Sequence, residues 1–108
     1  MNELNLKGKT AVITGGAGLI CSEMARSLAF QGVKTVIVDL NEEAAVKVAR
    51  EIEKEFGTPS LGLSASVLDR DSLLASKKII NEKFGPIEIL INGAGGNSPA
   101  ATTKVERM

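Results

Sequence analysis

The 108-residue sequence has no histidine, tryptophan or tyrosine, and only three phenylalanines, three prolines and one cysteine. Without histidine there is no Cys/His nucleophile pair and no imidazole ligand, so no metal-binding residue is assigned. The lone Cys21 rules out an intrachain disulfide and reads as a small buried core residue. No stretch approaches the roughly 20 apolar residues of a membrane span, and the opening MNELNLKGK lacks the apolar centre of a signal peptide. The expected location is therefore cytoplasmic, with no membrane partner. Neither sign of charge prevails: 13 lysines and arginines match 13 aspartates and glutamates, which leaves no net attraction for nucleic acid. The implied partner is a small molecule.

What the sequence does contain is a regular alternation. Apolar runs at Thr10 to Thr14, Lys34 to Val38, Ser60 to Ala65 and Ile87 to Ile91 take turns with amphipathic stretches at Leu19 to Gln31, Glu42 to Phe56 and Arg70 to Phe84. Runs such as Val36-Ile37-Val38 and Ile89-Leu90-Ile91 show no polar alternation, as expected of parallel strands buried on both faces. The long stretches carry apolar residues at helical spacing: Ile20, Met24, Leu28; Ala44, Val48, Ile52; Leu73, Ile80, Phe84. Asn41 and Asp69 sit where helices start, and Gly32, Gly57 and Gly85-Pro86 where they stop. Right-handed crossovers then predict an α/β fold with a four-stranded parallel sheet in the order 3-2-1-4. That is the first half of a Rossmann-type doubly wound fold, one unit over residues 1–108.

Between the first strand and first helix lies ITGGAGLIC, residues 13–21. After Gly15, Gly16-Ala17-Gly18 supplies a tight turn that can bring backbone N–H groups to a pyrophosphate at the helix start. Read as G-x-G-x-x-G, the loop has Cys21 in its third position. Asp39 closes the second strand about 20 residues after the loop, where a carboxylate can accept hydrogen bonds from ribose hydroxyls. Two features at linked spacing point to a dinucleotide far more specifically than the loop alone.

The segments NLKGKTAVITGG, VDL and FGPIEILINGAGG resemble the short-chain dehydrogenase/reductase family, and the similarity runs from Asn5 to Gly96. The resemblance implies NAD as cofactor, held by the glycine loop with Leu19 and Ile20, by Asp39 and Leu40, by Ser66 and Val67, and by Asn92, Gly93, Ala94 and Gly95. It also implies hydride exchange with a secondary alcohol. The forms ITGGAGLIC and NGAGGNSPAATT are further similar to the sugar-acid branch of D-mannonate oxidoreductases.

Four departures accompany the resemblance. Leu19 and Cys21 replace the later glycines of T-G-x-x-x-G-x-G, Ser66 replaces an adenine-binding aspartate, and Gly93 replaces the second asparagine of N-N-A-G. The fourth is the absence of a Tyr-x-x-x-Lys and its partner serine; Ser98 reads as part of a polar loop. The chain by itself is accordingly expected to bind cofactor without turnover. Two other readings are a non-catalytic nucleotide-binding or assembly module and an S-adenosylmethionine methyltransferase, against which FGPIEILINGAGG argues. A fourth strand left at the sheet edge predicts self-association, hence a homo-oligomer.

Overall fold

The computed structural model describes residues 6–66, 68–93 and 105–106. Eight elements follow in order: β1 (Thr10–Thr14), α1 (Leu19–Phe30), β2 (Lys34–Asp39), α2 (Glu42–Phe56), β3 (Ser60–Ser64), α3 (Arg70–Lys83), β4 (Ile89–Asn92) and β5 (Val105–Glu106). The four expected strands are parallel and lie in the expected order, β3-β2-β1-β4. The fold is thus Rossmann-like α/β.

Side chains alternate across the pleat and build a core on each face. Ala11, Ile13 and Ile37 point to the layer of α1 and α2, where they meet Ala25, Ala29, Ala49 and Ile52. Val12, Val36 and Val38 point to the other layer, where they meet Ile80 of α3. The change of layer occurs across β1, which has β2 on one side and β4 on the other. In such a sheet the strand ends beside this reversal frame a crevice.

The helix starts behave as expected. The Asn41 side chain accepts from the Ala44 N–H at 3.1 Å, and Asp69 accepts from Asp71 and Ser72 at 3.0 and 3.3 Å. Gly57 closes α2 in the left-handed region at φ 72°. The far helix ends are tied down by side chains: Thr58 Oγ1 donates to the Ala29 carbonyl at 2.8 Å, and Lys34 Nζ to the Phe84 carbonyl at 2.9 Å.

Two expectations change. The stripe Ile20, Met24, Leu28 is only partly the inner face of α1: Met24 and Leu28 pack half-buried against the core, but Ile20 is exposed, and the buried residues are Cys21, Ser22, Ala25 and Ala29. The helix packs its small residues against the sheet, which lets it lie close. The edge of β4 is not open along its length either, because β5 pairs with it antiparallel, Leu90 opposite Glu106 and Ile91 opposite Val105. Among the described residues no helix is long and apolar enough to cross a membrane.

Candidate nucleotide site

Four parallel strands deliver their C-terminal ends to one side of the sheet. The register places Thr14 beside Val38 and Asn92, and Asp39 beside Ser64. The chain then turns sharply out of β1. Gly15 adopts φ 68°, a left-handed conformation that side chains disfavour. At Gly16 a Cβ would come within 2.8 Å of the Ile13 carbonyl oxygen and of Ile37 Cγ2, so only glycine lets the turn lie against the sheet. The Gly16 N–H donates to the Val38 carbonyl at 3.0 Å, fastening the turn to the end of β2. Gly18, by contrast, has open space, with nothing nearer to its missing Cβ than the Gly15 carbonyl oxygen at 3.4 Å.

Gly18 is the N-cap of α1, and it offers no side chain to the helix start. The first turn also holds no acidic residue, unlike α2 with Glu42 and Glu43 and α3 with Asp71. The N–H groups of Leu19, Ile20 and Cys21 therefore lack the side-chain acceptors that serve the other two helices. With the helix dipole behind them, they form a place for an anion. Leu19 is 80 % exposed and Ile20 71 % exposed, so neither needs a protein pocket. The Leu19 substitution costs nothing in packing and requires no unusual backbone, since no residue other than glycine has positive φ among the described residues.

Asp39 reaches this turn directly. Its Oδ2 accepts from the Ala17 N–H at 3.1 Å and its Oδ1 from the Asn41 N–H at 3.2 Å. Leu40 beside it is 75 % exposed, and its carbonyl accepts from Ser64 Oγ at 3.3 Å. Ser66 lies ahead of α3; its hydroxyl accepts from the Leu68 N–H, and its own N–H donates to Ser72 Oγ, both at 3.2 Å. On the far side of β1, Thr14 Oγ1 donates to Asn92 Oδ1 at 2.8 Å, and the Gly93 N–H donates to the Thr14 carbonyl at 3.2 Å. Asn92 and Gly93 are thereby held against the start of the turn. Cys21 is buried as expected; burial, with a smaller contribution from the Asp39 carboxylate, pushes its thiol above the ordinary range.

The structure thus brings together Gly15, Gly16, Gly18, Leu19, Ile20, Asp39, Asn92 and Gly93, with Leu40 and Ser66 on the flank. Val67, Ala94, Gly95 and Ser98 lie outside the described residues. Sequence reasoning missed three partners: Ala17 as the donor to Asp39, Thr14 as the donor to Asn92, and Ser64 beneath Leu40. Their roles arise between strands, and a periodicity along the chain carries no sign of them. On the α3 side a groove of about 280 Å³ ends at the same Thr14 and Asn92, lined above by Leu73, Lys77 and Ile80.

Known proteins are similar to this chain in sequence and fold. The uncharacterized oxidoreductase UxuB of Bacillus subtilis is 51 % identical over 102 residues, which cover 94 % of this chain and 36 % of that protein. The crystal structure of a candidate D-mannonate oxidoreductase from Haemophilus influenza, solved with bound NAD, superposes with a TM-score of 0.82 at 42 % identity. That match covers 91 % of this chain and 35 % of the other. An L-sorbose reductase from Gluconobacter frateurii, complexed with NADPH and L-sorbose, gives a TM-score of 0.80 at 27 % identity over 91 % of this chain and 39 % of its own. The chain therefore spans little more than a third of the length of the relatives it matches. Residues 9–108 match the family model for short chain dehydrogenases, and with the turn, the carboxylate and the strand order in place, the chain belongs to that family.

Proposed function

We propose that residues 1–108 form the cofactor-binding part of an NAD-dependent oxidoreductase that acts on a secondary alcohol, with sugar acids such as D-mannonate as the first substrates to try. The observation that carries the reading is the pairing of a carboxylate with an uncapped helix start across one glycine turn. The residues present fit a dinucleotide. The N–H groups of Leu19, Ile20 and Cys21 suit the pyrophosphate, Asp39 the adenosine ribose, Leu40, Ser66 and Val67 the adenine, and Asn92 to Gly95 the far end. When bound, the nicotinamide accepts or returns the hydride. The protein binds and orients it.

Asp39 favours NAD over NADP. Leu40 and Asn41 beside it offer no cation, and a 2′-phosphate would face a like charge. At about 4 Å and an effective dielectric of about 20, such a contact costs on the order of 4 kcal/mol before solvent and salt weaken it. The candidate D-mannonate oxidoreductase with bound NAD supports this side, and the L-sorbose reductase with NADPH marks the alternative within the same fold. The 108 residues contain no tyrosine and no assigned proton acceptor, so cofactor binding without turnover is expected of them. Titration calorimetry with NAD and NADP tests the first half. Equal affinities would remove Asp39 from its role. NADH production from D-mannonate by protein of verified 108-residue mass would overturn the second.

A further inference from the structure

Two departures from the family's motifs, far apart in the chain, meet in space. Cys21 replaces the last glycine of the loop motif, and Gly93 replaces an asparagine after β4. A Cβ built on Gly93 would overlap the Cys21 sulfur and stand 3.2 Å from the Thr14 carbonyl oxygen, a tight contact that needs a shift of a few tenths of an ångström, while the Cys21 Cβ lies 3.9 Å away at an ordinary contact distance. The sulfur thus fills the volume that any side chain at position 93 would need. Gly93 cannot retreat freely, because its N–H is bonded to the Thr14 carbonyl at 3.2 Å. Cys21 cannot either, because it is buried in the core cluster with Ile13, Ala25 and Ile91.

We propose that Cys21 and Gly93 act as one positioning pair, a side chain moved from one partner to the other, that sets the distance between the start of α1 and the end of β4. Cys21 is the third residue of α1, and its own N–H is among the donors left free at the helix start. A side chain at position 93 would push on the thiol and tilt that whole first turn, displacing the Leu19, Ile20 and Cys21 N–H groups together. The pair therefore governs the pyrophosphate and leaves the adenosine end, which lies across β2 at Asp39, untouched. This rests on the cofactor reading above and goes further, because it assigns the loop geometry to a residue outside the loop.

Three variants of the 108-residue chain, Gly93→Ala, Cys21→Ala and the double variant that combines them, separate the outcomes when binding of ADP-ribose and of adenosine is measured for each. Gly93→Ala is expected to weaken ADP-ribose about tenfold, one charge-assisted hydrogen bond's worth, with adenosine unchanged. The double variant puts the new methyl group of position 93 where the sulfur was, leaves the Cβ of position 21 in place and keeps only the 3.2 Å approach to the Thr14 carbonyl oxygen, so it is expected to recover most of the lost affinity, a non-additive cycle. Loss of adenosine binding in step with ADP-ribose would mean general destabilisation and would overturn the positioning role. So would a double variant no better than Gly93→Ala. Should Gly93→Ala fail to fold, a double variant that folds and binds upholds the pair, and one that also fails sinks it. Wild-type protein with no preference for ADP-ribose over adenosine would overturn the cofactor reading itself, whereas a clear preference unaffected by Gly93→Ala would overturn the pair alone.

Discussion

At the scale of single residues, Asp39 carries two duties that can be separated. On the proposed reading its charge opposes a 2′-phosphate, and its Oδ2 holds the Ala17 N–H. Asp39→Asn keeps an oxygen acceptor but removes the charge, whereas Asp39→Ala removes both. The asparagine variant should lose most of the preference for NAD while the Ala17 amide stays protected from hydrogen exchange. The alanine variant should lose both. Identical exchange at Ala17 in the two variants would show that the 3.1 Å bond does not hold the turn. Cys21 yields a pH prediction. Burial, then Asp39, raise its folded-state pKa, so folding favours the protonated thiol. That contribution is complete below the ordinary thiol value and is lost as pH climbs from there through the raised folded value. Urea unfolding should therefore show the wild type losing stability relative to Cys21→Ala only on the alkaline side. A constant difference from neutral to alkaline pH would contradict the burial of the thiol.

Elements meet most tightly where α2 crosses β3. A Cβ on Gly62 would stand 2.6 Å from the carbonyl carbon and oxygen of Ala45 and from the Val46 Cα, all backbone atoms that cannot rotate away. The helix presents small residues here too, with Ala45 and Ala49 buried. Gly62→Ala should thus destabilise the chain by roughly 1–3 kcal/mol, as overpacking does, even though alanine is otherwise the milder residue in a strand. Chemical denaturation checks this against Gly57→Ala, a strained position with open space around it, whose penalty arises from φ alone. A Gly62→Ala variant as stable as the wild type would mean that α2 moves aside without cost. The same small-residue logic explains why α1 turns Ala25 and Ala29 to the sheet and leaves Ile20 at the crevice.

On the whole molecule, α3 carries three of the exposed large apolar side chains, the others being Leu19, Ile20, Phe30, Leu40 and Leu68 among the described residues. Leu73, Leu74 and Ile79 are 36 %, 56 % and 37 % exposed. Of these, Leu73 lines the groove over Val12, Val38 and Leu90. Because β5 covers β4 at Leu90 and Ile91, strand pairing has less edge to work with, and helix packing becomes the expected route of self-association. Light scattering at high micromolar concentration should find a species larger than the monomer. Leu74→Lys with Ile79→Lys should return it to the monomer by placing charge on that face. A wild type that is already monomeric, or an oligomer indifferent to both lysines, would remove α3 from the contact.

Much of this was legible along the chain. Uninterrupted apolar runs between amphipathic stretches determine four strands and three helices, of which β1 and β2 are buried and β3 and β4 only half-buried, and right-handed crossovers then leave one economical order, β3-β2-β1-β4. Asn41 and Asp69 announce helix starts because their side chains reach N–H groups two or three residues on. Asp39 announces the crevice because it closes a strand at a set distance after the glycine turn. The tertiary structure alone decided the rest: which face of α1 is buried, why Gly62 has no side chain, that Ala17 answers to Asp39, that β5 folds back on β4, and that Cys21 and Gly93 share one volume. Period and capping are properties of a few neighbouring residues, and so they are written locally. Close approach between elements is set by distances across the sheet, to which residues 22 or 72 positions apart contribute, and those distances exist only once the layers have closed.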